Sequence, residues 1–145
     1  MFFKAFLKPA SIALMIVSTA APAFAHGQQI RVEQWGANNQ VGGGQAGHGQ
    51  RLTVVQNGQS NLSINTQDGY RNRASIGQAG SSNVVDTLQC GSRNVLGVGQ
   101  IGANNRAAVT QCGRRNVTAI VQVGNNNASS TVQVGVNNAA AVVQN

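Results

Sequence analysis

The chain has 145 residues, a formal net charge of +7, and only 4% aromatic and 9% charged residues, while glycine occupies 18 positions. So few large apolar side chains cannot form an ordinary globular core, and this composition by itself would favour a disordered, prion-like chain. The length suits one domain, and the order of the residues, taken from the N-terminus, argues against disorder.

Residues 1–25 are predicted to form a secretory signal peptide. Two early lysines supply positive charge, residues 11–21 are apolar, and Ala23-Phe24-Ala25 matches the small-x-small cleavage pattern. The apolar stretch is too short to span a membrane comfortably. We therefore expect a secreted mature chain that begins at His26.

Three residue types recur at every eleventh position through residues 26–145, which we expect to form one repeat domain with half-repeats from residue 28. Glutamine recurs at Gln34, Gln45, Gln56, Gln67, Gln78, Gln89, Gln100, Gln111, Gln122, Gln133 and Gln144. Glycine follows two residues later, at Gly36, Gly47, Gly58, Gly69, Gly80, Gly91, Gly102, Gly113, Gly124 and Gly135. Asparagine stands five residues after the glutamine, with Gln50 as the one exception, at Asn39, Asn61, Asn72, Asn83, Asn94, Asn105, Asn116, Asn127 and Asn138. A period this strict indicates a stack of structural repeats.

Each unit reads Asn-x-apolar-x-apolar-x-Gln-x-Gly-x-x, and the alternation from Asn to Gln has the strand period of two. A glycine in every unit and many β-branched residues argue against a helix. The inward pair is bulky at Leu96/Val98 but small or polar at Ser63/Asn65, so the full period is 22. We predict an all-β fold, a two-sheet β-solenoid with 22 residues per rung and about 11 short strands, roughly 25 Å tall. The glycine and the two residues after it are expected to form the turns.

Identical amides would lie one above another in this fold, because residue i falls directly over residue i+22. The Gln and Asn columns are therefore predicted to hydrogen-bond up and down the stack as amide ladders. Neither His26-Gly27 nor the strand-like residues 140–145 offer a capping element, so both end rungs should present unpaired groups to another copy. Head-to-tail stacking does not close, and it yields filaments. The odd number of strands adds the hypothesis that each copy joins after about half a turn.

The repeat resembles the curlin repeat of curli subunits, in which Gln-x-Gly-x-x-Asn is followed by a second Gln one such period after the first. Residues 78–83 and 100–105 match this pattern well, and the likeness covers residues 28–145. The resemblance implies a stacked β-solenoid, export through an outer-membrane pore, a second curlin subunit as partner, fibre growth at the cell surface, and roles in adhesion and biofilm. The chain departs from the family in its two cysteines, in Asn or Gln where Ser is common, and in having no long Gly/Gln-rich leader before the repeats.

Six arginines are predicted to lie along one edge of the stack, at Arg51, Arg71, Arg73, Arg93, Arg114 and Arg115. After residue 25, eight arginines against three acidic residues leave a net charge of +5. Such an edge suits an anionic partner, such as lipopolysaccharide, an acidic membrane, a polyanionic matrix or nucleic acid. The alternative is a solvated edge that limits sideways association.

Cys90 and Cys112 are also separated by one full period, and we expect them on the outer face, one rung apart. A backbone spacing of about 4.8 Å lies within disulfide range and the compartment after export is oxidising, but parallel side chains aim poorly at each other. The sequence leaves open whether the two are bonded. Neither lies near a histidine or in a Cys-x-x-Cys spacing, so we expect no catalytic role.

No catalytic, metal-binding or cofactor-binding residues and no small-molecule substrate are expected, because the sequence contains no Ser/His/Asp constellation, paired carboxylates or phosphate loop. We therefore predict a non-enzymatic structural subunit of an extracellular curli-type amyloid fibre, with further copies of itself as the main partner. The alternatives are a minor nucleator subunit that anchors the fibre at the outer membrane, and a soluble secreted β-solenoid binding module.

Overall fold

A computed structural model describes residues 27–145, and these residues form eleven β-strands. The predicted signal peptide and His26 lie outside the described residues. In chain order the strands are β1 (Gln29–Ala37), β2 (Gln40–His48), β3 (Arg51–Gln59), β4 (Leu62–Tyr70), β5 (Arg73–Ser81), β6 (Val84–Ser92), β7 (Val95–Ala103), β8 (Arg106–Arg114), β9 (Val117–Asn125), β10 (Ala128–Val136) and β11 (Ala139–Gln144). Within this part of the chain, no helical segment has the length and apolar character that a bilayer crossing requires.

The strands alternate between two parallel sheets. The odd-numbered strands form a six-stranded sheet in chain order, and the even-numbered strands form a five-stranded sheet in the same way. Each strand pairs with the strand two positions along the chain, and each residue is in register with the residue 22 positions later, as Gln56 is with Gln78. The predicted two-sheet β-solenoid, with one full period per rung and eleven strands, is confirmed.

The thin core between the sheets is built from inward residues of complementary size. The six-stranded sheet contributes bulky side chains such as Val54, Ile76 and Leu96, which are at most 1% exposed. The five-stranded sheet contributes smaller or polar side chains, with Ser63 and Asn65 both 0% exposed, and its largest apolar inward residues are valines such as Val85. The predicted pairing of bulky with small inward residues is therefore confirmed, and it brings the sheets close enough for hydrogen bonds across the core.

The turns differ in part from the sequence-based expectation. Strands β1 to β10 run to the third residue after the repeat glutamine, so the repeat glycine lies inside the strand. The left-handed turn residue stands two positions after the glycine, as Ser82 (φ 55°) does after Gly80. The prediction that the glycine and the two residues after it form each turn is therefore confirmed in part: the ten glycines from Gly36 to Gly135 have positive φ, but strand pairing continues through them and the bend falls at the second residue after each. Glycine is required within the strand because, at Gly80 (φ 116°), a Cβ would lie 2.0 Å from the carbonyl oxygen of Gly102 on the next rung.

Replacing Gly80 with alanine is expected to destabilise the chain strongly, since the methyl group would meet the Gly102 carbonyl and the positive φ disfavours an L side chain. We expect a loss of more than about 3 kcal/mol of unfolding free energy in urea titrations followed by circular dichroism. Gly77→Ala in the same strand is the matched control, because a Cβ there has no atom within 4 Å. It should change stability by less than about 1 kcal/mol, and equal losses would contradict the close approach of the rungs at Gly80.

Candidate functional site

The glutamines form two continuous hydrogen-bonded columns, one in each sheet. In the six-stranded sheet, each Nε2 donates to the Oε1 of the glutamine 22 residues later over 2.6–3.0 Å, through Gln34, Gln56, Gln78, Gln100, Gln122 and Gln144. In the five-stranded sheet the same bonds span 2.5–3.0 Å, through Gln45, Gln67, Gln89, Gln111 and Gln133. The predicted glutamine ladders are confirmed, and their members from Gln56 to Gln122 are at most 2% exposed.

A second hydrogen bond sets the direction of each column. From Gln56 onward, every Nε2 also donates across the core to a backbone carbonyl of the opposite sheet, as Gln78 does to Leu62 and Gln100 does to Val84, both over 3.1 Å. Reversing such an amide would set its Oε1 against a carbonyl oxygen, and two acceptors cannot bond. The ladder N–H groups of both columns therefore point towards the C-terminal end of the stack.

The asparagine columns bond mainly to the backbone. The Oδ1 of Asn72 accepts the backbone N–H of Asn94 over 3.0 Å. Its Nδ2 donates to the carbonyl of Asp68, over 2.8 Å, and to that of Gly91 on the next rung, over 3.2 Å. The predicted bonding from rung to rung is therefore confirmed for these columns, but it runs through the backbone and not from amide to amide, apart from one such contact, because the shorter side chain reaches the turn backbone. The columns contain Asn39, Asn61, Asn72, Asn83, Asn94, Asn105, Asn116, Asn127 and Asn138.

The two ends of the described stack carry complementary halves of these bonds. At the N-terminal end, the Oε1 atoms of Gln34 and Gln45 have no donor among the described residues, and that of Gln45 is buried. At the C-terminal end, Gln133 and Gln144 each donate to a backbone carbonyl, and within residues 27–145 neither is followed by another glutamine of its own column. Asn138 likewise lacks the glycine carbonyl that the interior asparagines reach. One end therefore offers side-chain acceptors where the other offers side-chain donors.

Gln50 occupies a place in an asparagine column but fills it incompletely. Its Nε2 reproduces the asparagine contacts, donating to the carbonyls of Ala46 and Gly69 over 2.6 and 3.2 Å. Its Oε1 is buried without a partner among the described residues. The bond that Asn94 makes to Asn72 therefore has no counterpart between Asn72 and Gln50, because the extra methylene displaces the oxygen.

Short polar side chains that face the core, from both sheets, form contacts that the repeat pattern did not predict. Asn65 donates to the hydroxyl of Ser63, and Thr87 donates to the Oδ1 of Asn65, both over 2.8 Å. Thr118 donates to the Oε1 of Gln133 over 2.7 Å. Each bond satisfies a buried group that would otherwise cost about 1–3 kcal/mol. The only sequence signal was a polar residue at an inward position.

The predicted arginine edge is confirmed as a cluster at the turns from even-numbered into odd-numbered strands, and it consists of the exposed residues Arg51, Arg71, Arg73, Arg93, Arg114 and Arg115. Arg71, Arg93 and Arg115 hold the left-handed turn position, with φ of 56–58°. The guanidinium of Arg71 lies 4.8 Å from the ring centre of Tyr70. Within residues 27–145 the only ion pair lies elsewhere, on β1, so the arginines of this edge form no ion pair within the described chain.

Cys90 and Cys112 are joined by a disulfide between β6 and β8, which resolves the question that the sequence left open. The two residues are in register, with Cα atoms 4.6 Å apart. The bond therefore ties adjacent rungs together. Closing a loop of this size contributes about 3 kcal/mol by restricting the unfolded chain.

Shortening Gln50 to asparagine is expected to complete its column, because Oδ1 would then accept the backbone N–H of Asn72. The variant should gain about 1 kcal/mol of unfolding free energy, the usual contribution of one hydrogen bond. Asn61→Gln is the reciprocal control and should lose about 1–3 kcal/mol, since it leaves an unpaired oxygen in a complete rung. Urea unfolding measures both, and a destabilising Gln50→Asn or a stabilising Asn61→Gln would contradict this account of the column.

Among residues 27–145, no group of three or more His, Cys, Asp or Glu is placed to hold a metal ion. No protein-family model, curated protein or solved structure matches the chain. Its function is therefore inferred from the two ends of the stack and from the arginine edge.

Proposed function

We propose that this chain is a structural, non-enzymatic subunit of an extracellular curli-type amyloid fibre, in which copies stack head to tail. The complementary unpaired groups at the two ends of the stack carry the proposal. When the N-terminal end of one copy docks on the C-terminal end of another, each free glutamine N–H gains an Oε1 acceptor. The contact uses different surfaces on the two partners and never closes, so it propagates into a filament.

Stacking also completes the core at each end. Ile30 on the first strand is 54% exposed, whereas Leu52, its neighbour in the same column, is 5% exposed. Burying such a side chain contributes about 1.5–3 kcal/mol. The end strands also present unpaired backbone groups, which are a template for pairing with another chain. Assembly therefore extends the same contacts that hold each subunit together.

The resemblance to curlin repeats supports the wider setting of the proposal. It implies secretion after removal of the signal peptide, passage through an outer-membrane export pore, a second curlin-like subunit as partner, and roles in adhesion and biofilm. A minor nucleator subunit that anchors the fibre at the outer membrane is the nearest alternative. It uses the same ladders but also needs a surface that binds the membrane.

The arginine edge supports an anionic surface as a further partner. Left-handed backbone costs a residue such as arginine about 1–2 kcal/mol, whereas glycine and asparagine adopt it readily. At the opposite edge the same turn position holds Asn38, Ser60, Ser82, Asn104 and Asn126. Three stacked arginines in this conformation, which form no ion pair within the described chain, are better explained by an external anion than by folding.

Residues 26–145, freed of denaturant in neutral buffer, are expected to form fibres after a lag, because each added copy satisfies the exposed end of the last. Fibre diffraction should show a strand spacing of about 4.8 Å, and preformed fibres should shorten the lag measured by thioflavin fluorescence. A lasting monomer with strand-type circular dichroism would instead favour the soluble binding module, and a lasting coil would contradict both.

The variant Gln144→Glu tests the proposed hydrogen bond between the ends of two copies, because it replaces the donating N–H by a carboxylate oxygen. Seeded elongation should slow about tenfold or more at neutral pH, because two acceptors then face each other. Val143→Glu adds the same charge on the outer face, where the side chain is 76% exposed, and should elongate normally. Below the ordinary glutamate pKa of about 4.3, the protonated carboxyl donates again and growth of Gln144→Glu should recover. Equal slowing of both variants at neutral pH would contradict the end-to-end bond.

Combining Arg71→Asn with Arg93→Asn should weaken binding of fibres to phosphatidylglycerol vesicles while preserving fibre formation, because asparagine suits the left-handed turn. At about 1 kcal/mol per arginine near an anionic surface, we expect a loss of about tenfold or more in low-salt co-sedimentation. Arg31→Asn with Arg106→Asn removes the same charge away from this edge and is the matched control. Equal losses would show that binding depends on net charge alone.

A further inference from the structure

We propose that consecutive copies dock with their two sheets exchanged, so that β1 of the next copy lies on β10 and its β2 lies on β11. This register rests on the proposed head-to-tail fibre and specifies its geometry. Within one copy each strand lies over the strand two positions earlier. Because the described strands number eleven, the same rule applied across the boundary continues the five-stranded sheet with a strand of the six-stranded sheet.

The exchanged register pairs the unpaired glutamine groups one with one. Gln133 of one copy donates to Gln34 of the next, across the same one-rung spacing that separates successive ladder glutamines within a copy. Across that spacing, Gln144 donates to Gln45 of the next copy, whose Oε1 is buried without a donor in a single copy. The ladder of each sheet therefore continues into the other sheet of the next copy without a missing member.

The asparagine columns continue in the same register. Inside one copy, the Nδ2 of Asn116 donates to the carbonyl of Gly135, 19 residues on, over 3.1 Å. By the same spacing, the Nδ2 of Asn138 would donate to the carbonyl of Gly36 of the next copy. Within one copy, no side chain of the described residues donates to that carbonyl. Both columns are possible in either sheet because each half-repeat carries the same Gln, Gly and Asn frame.

The alternative register, with β1 of the next copy on β11, leaves a gap one strand wide over β10. The N–H of Gln133 and the inward side chain of Thr131 would then face this gap. Such a gap also exposes the backbone groups of the strands that border it. The two registers differ in length as well, at about 26 Å per copy for eleven half-rungs and about 29 Å for six whole rungs. The exchanged register is the one without unpaired strands.

Side chains at the C-terminal end suit either sheet. The last strand of the six-stranded sheet turns Ala140 and Val142 inward, and the last strand of the five-stranded sheet turns Ser129 and Thr131 inward. Alanine with serine and valine with threonine are nearly equal in outline, so the end rung presents two similar strands. Earlier rungs, such as the one with Leu96, keep the bulky and small sheets distinct.

The N-terminal end is shaped to receive Val142. In the exchanged register this valine is in line with Gly43 of the next copy. Three successive glycines, residues 42–44, leave an open apolar hollow there beside Ile30 and Val32. The alternative register would set Val142 on Val32 and leave the hollow opposite the empty strand position.

A pair of glycine variants tests this register in the native chain. In a single copy, Gly135 and Gly124 have φ of 119° and 105°, and a Cβ at either would meet nothing closer than 3.3 Å. In the exchanged register, only Gly135 lies against a described residue of the next copy, at the carbonyl of Gly36. Gly135→Ala should therefore elongate roughly tenfold or more slowly than Gly124→Ala from matched seeds. Equal rates would contradict the exchanged register, because the alternative register covers neither glycine.

Cysteine pairs measure the register directly, at the strand position that the native disulfide occupies. In a Cys90→Ser, Cys112→Ser background, Trp35→Cys with Val134→Cys should crosslink neighbouring copies. In the exchanged register these two residues are in register across the boundary between copies, as Cys90 and Cys112 are within one copy, where their Cα atoms are 4.6 Å apart. Trp35→Cys with Asn145→Cys is the matched pair for the alternative register and should stay unlinked. Fibres are oxidised after assembly, dissolved in formic acid, and separated on non-reducing gels.

A series of disulfide-linked oligomers from the Trp35/Val134 pair alone supports the exchanged register. Oligomers from the Trp35/Asn145 pair, or from neither pair in fibres that do form, overturn the register but leave the fibre proposal standing. Failure of the native chain to form fibres overturns the fibre proposal itself. If only the cysteine-free background fails to assemble, the rates of Gly135→Ala and Gly124→Ala decide the register.

Discussion

The register that sets each residue over the one 22 positions away is the constraint on which the molecule depends. Under this constraint similar side chains lie one above another, and charged side chains are disfavoured because stacked like charges repel. A carboxamide gains, since it carries donors and an acceptor on one group. The glutamine columns therefore turn repetition into continuous hydrogen bonding. The same bonds allow a core with few large apolar residues to hold a folded chain.

The number of unsatisfied groups in such a stack does not grow with its length. Each interior rung satisfies the rung before it, so stability accumulates rung by rung while the unpaired groups stay at the two ends. If copies stack end to end as proposed, folding and assembly are one process that continues from one chain into the next. The disulfide between Cys90 and Cys112 fits this division, because it strengthens interior strands and leaves the end strands unchanged.

Much of the fold was predictable from periodicity alone. Glutamines such as Gln56 and Gln78 recur at a spacing that fixes both the strand period and the rung length, and the inward pairs indicated which sheet is bulky. Which residue of each Gly-x-x segment makes the bend was not predictable, because unrelated residues such as Ser60 and Arg71 hold that position. The position of the bend depends on how the chain passes from one sheet to the other, and therefore on the packing of both sheets.

The glutamine and asparagine columns were predictable from the sequence, but the direction in which the glutamine N–H groups point was not. That direction comes from the bond across the core, such as Gln78 to Leu62, and this bond exists only at the sheet separation that the inward side chains produce. The bonding of the asparagines was also missed, since spacing does not show whether a side chain reaches its counterpart or the backbone. Gln50 stood out as the exception, but only the structure shows its buried, unpartnered oxygen.

Mass per unit length of the fibres, measured by dark-field electron microscopy, tests the central claim most directly. If amides from different rungs of one chain stack along the axis and continue into the next copy, a fibre one molecule wide contains one molecule per about 26 Å. One molecule per about 4.8 Å would mean that each chain lies flat in a single layer and stacks on its own copies. That result would contradict the stacking of rungs within one chain as the basis of assembly.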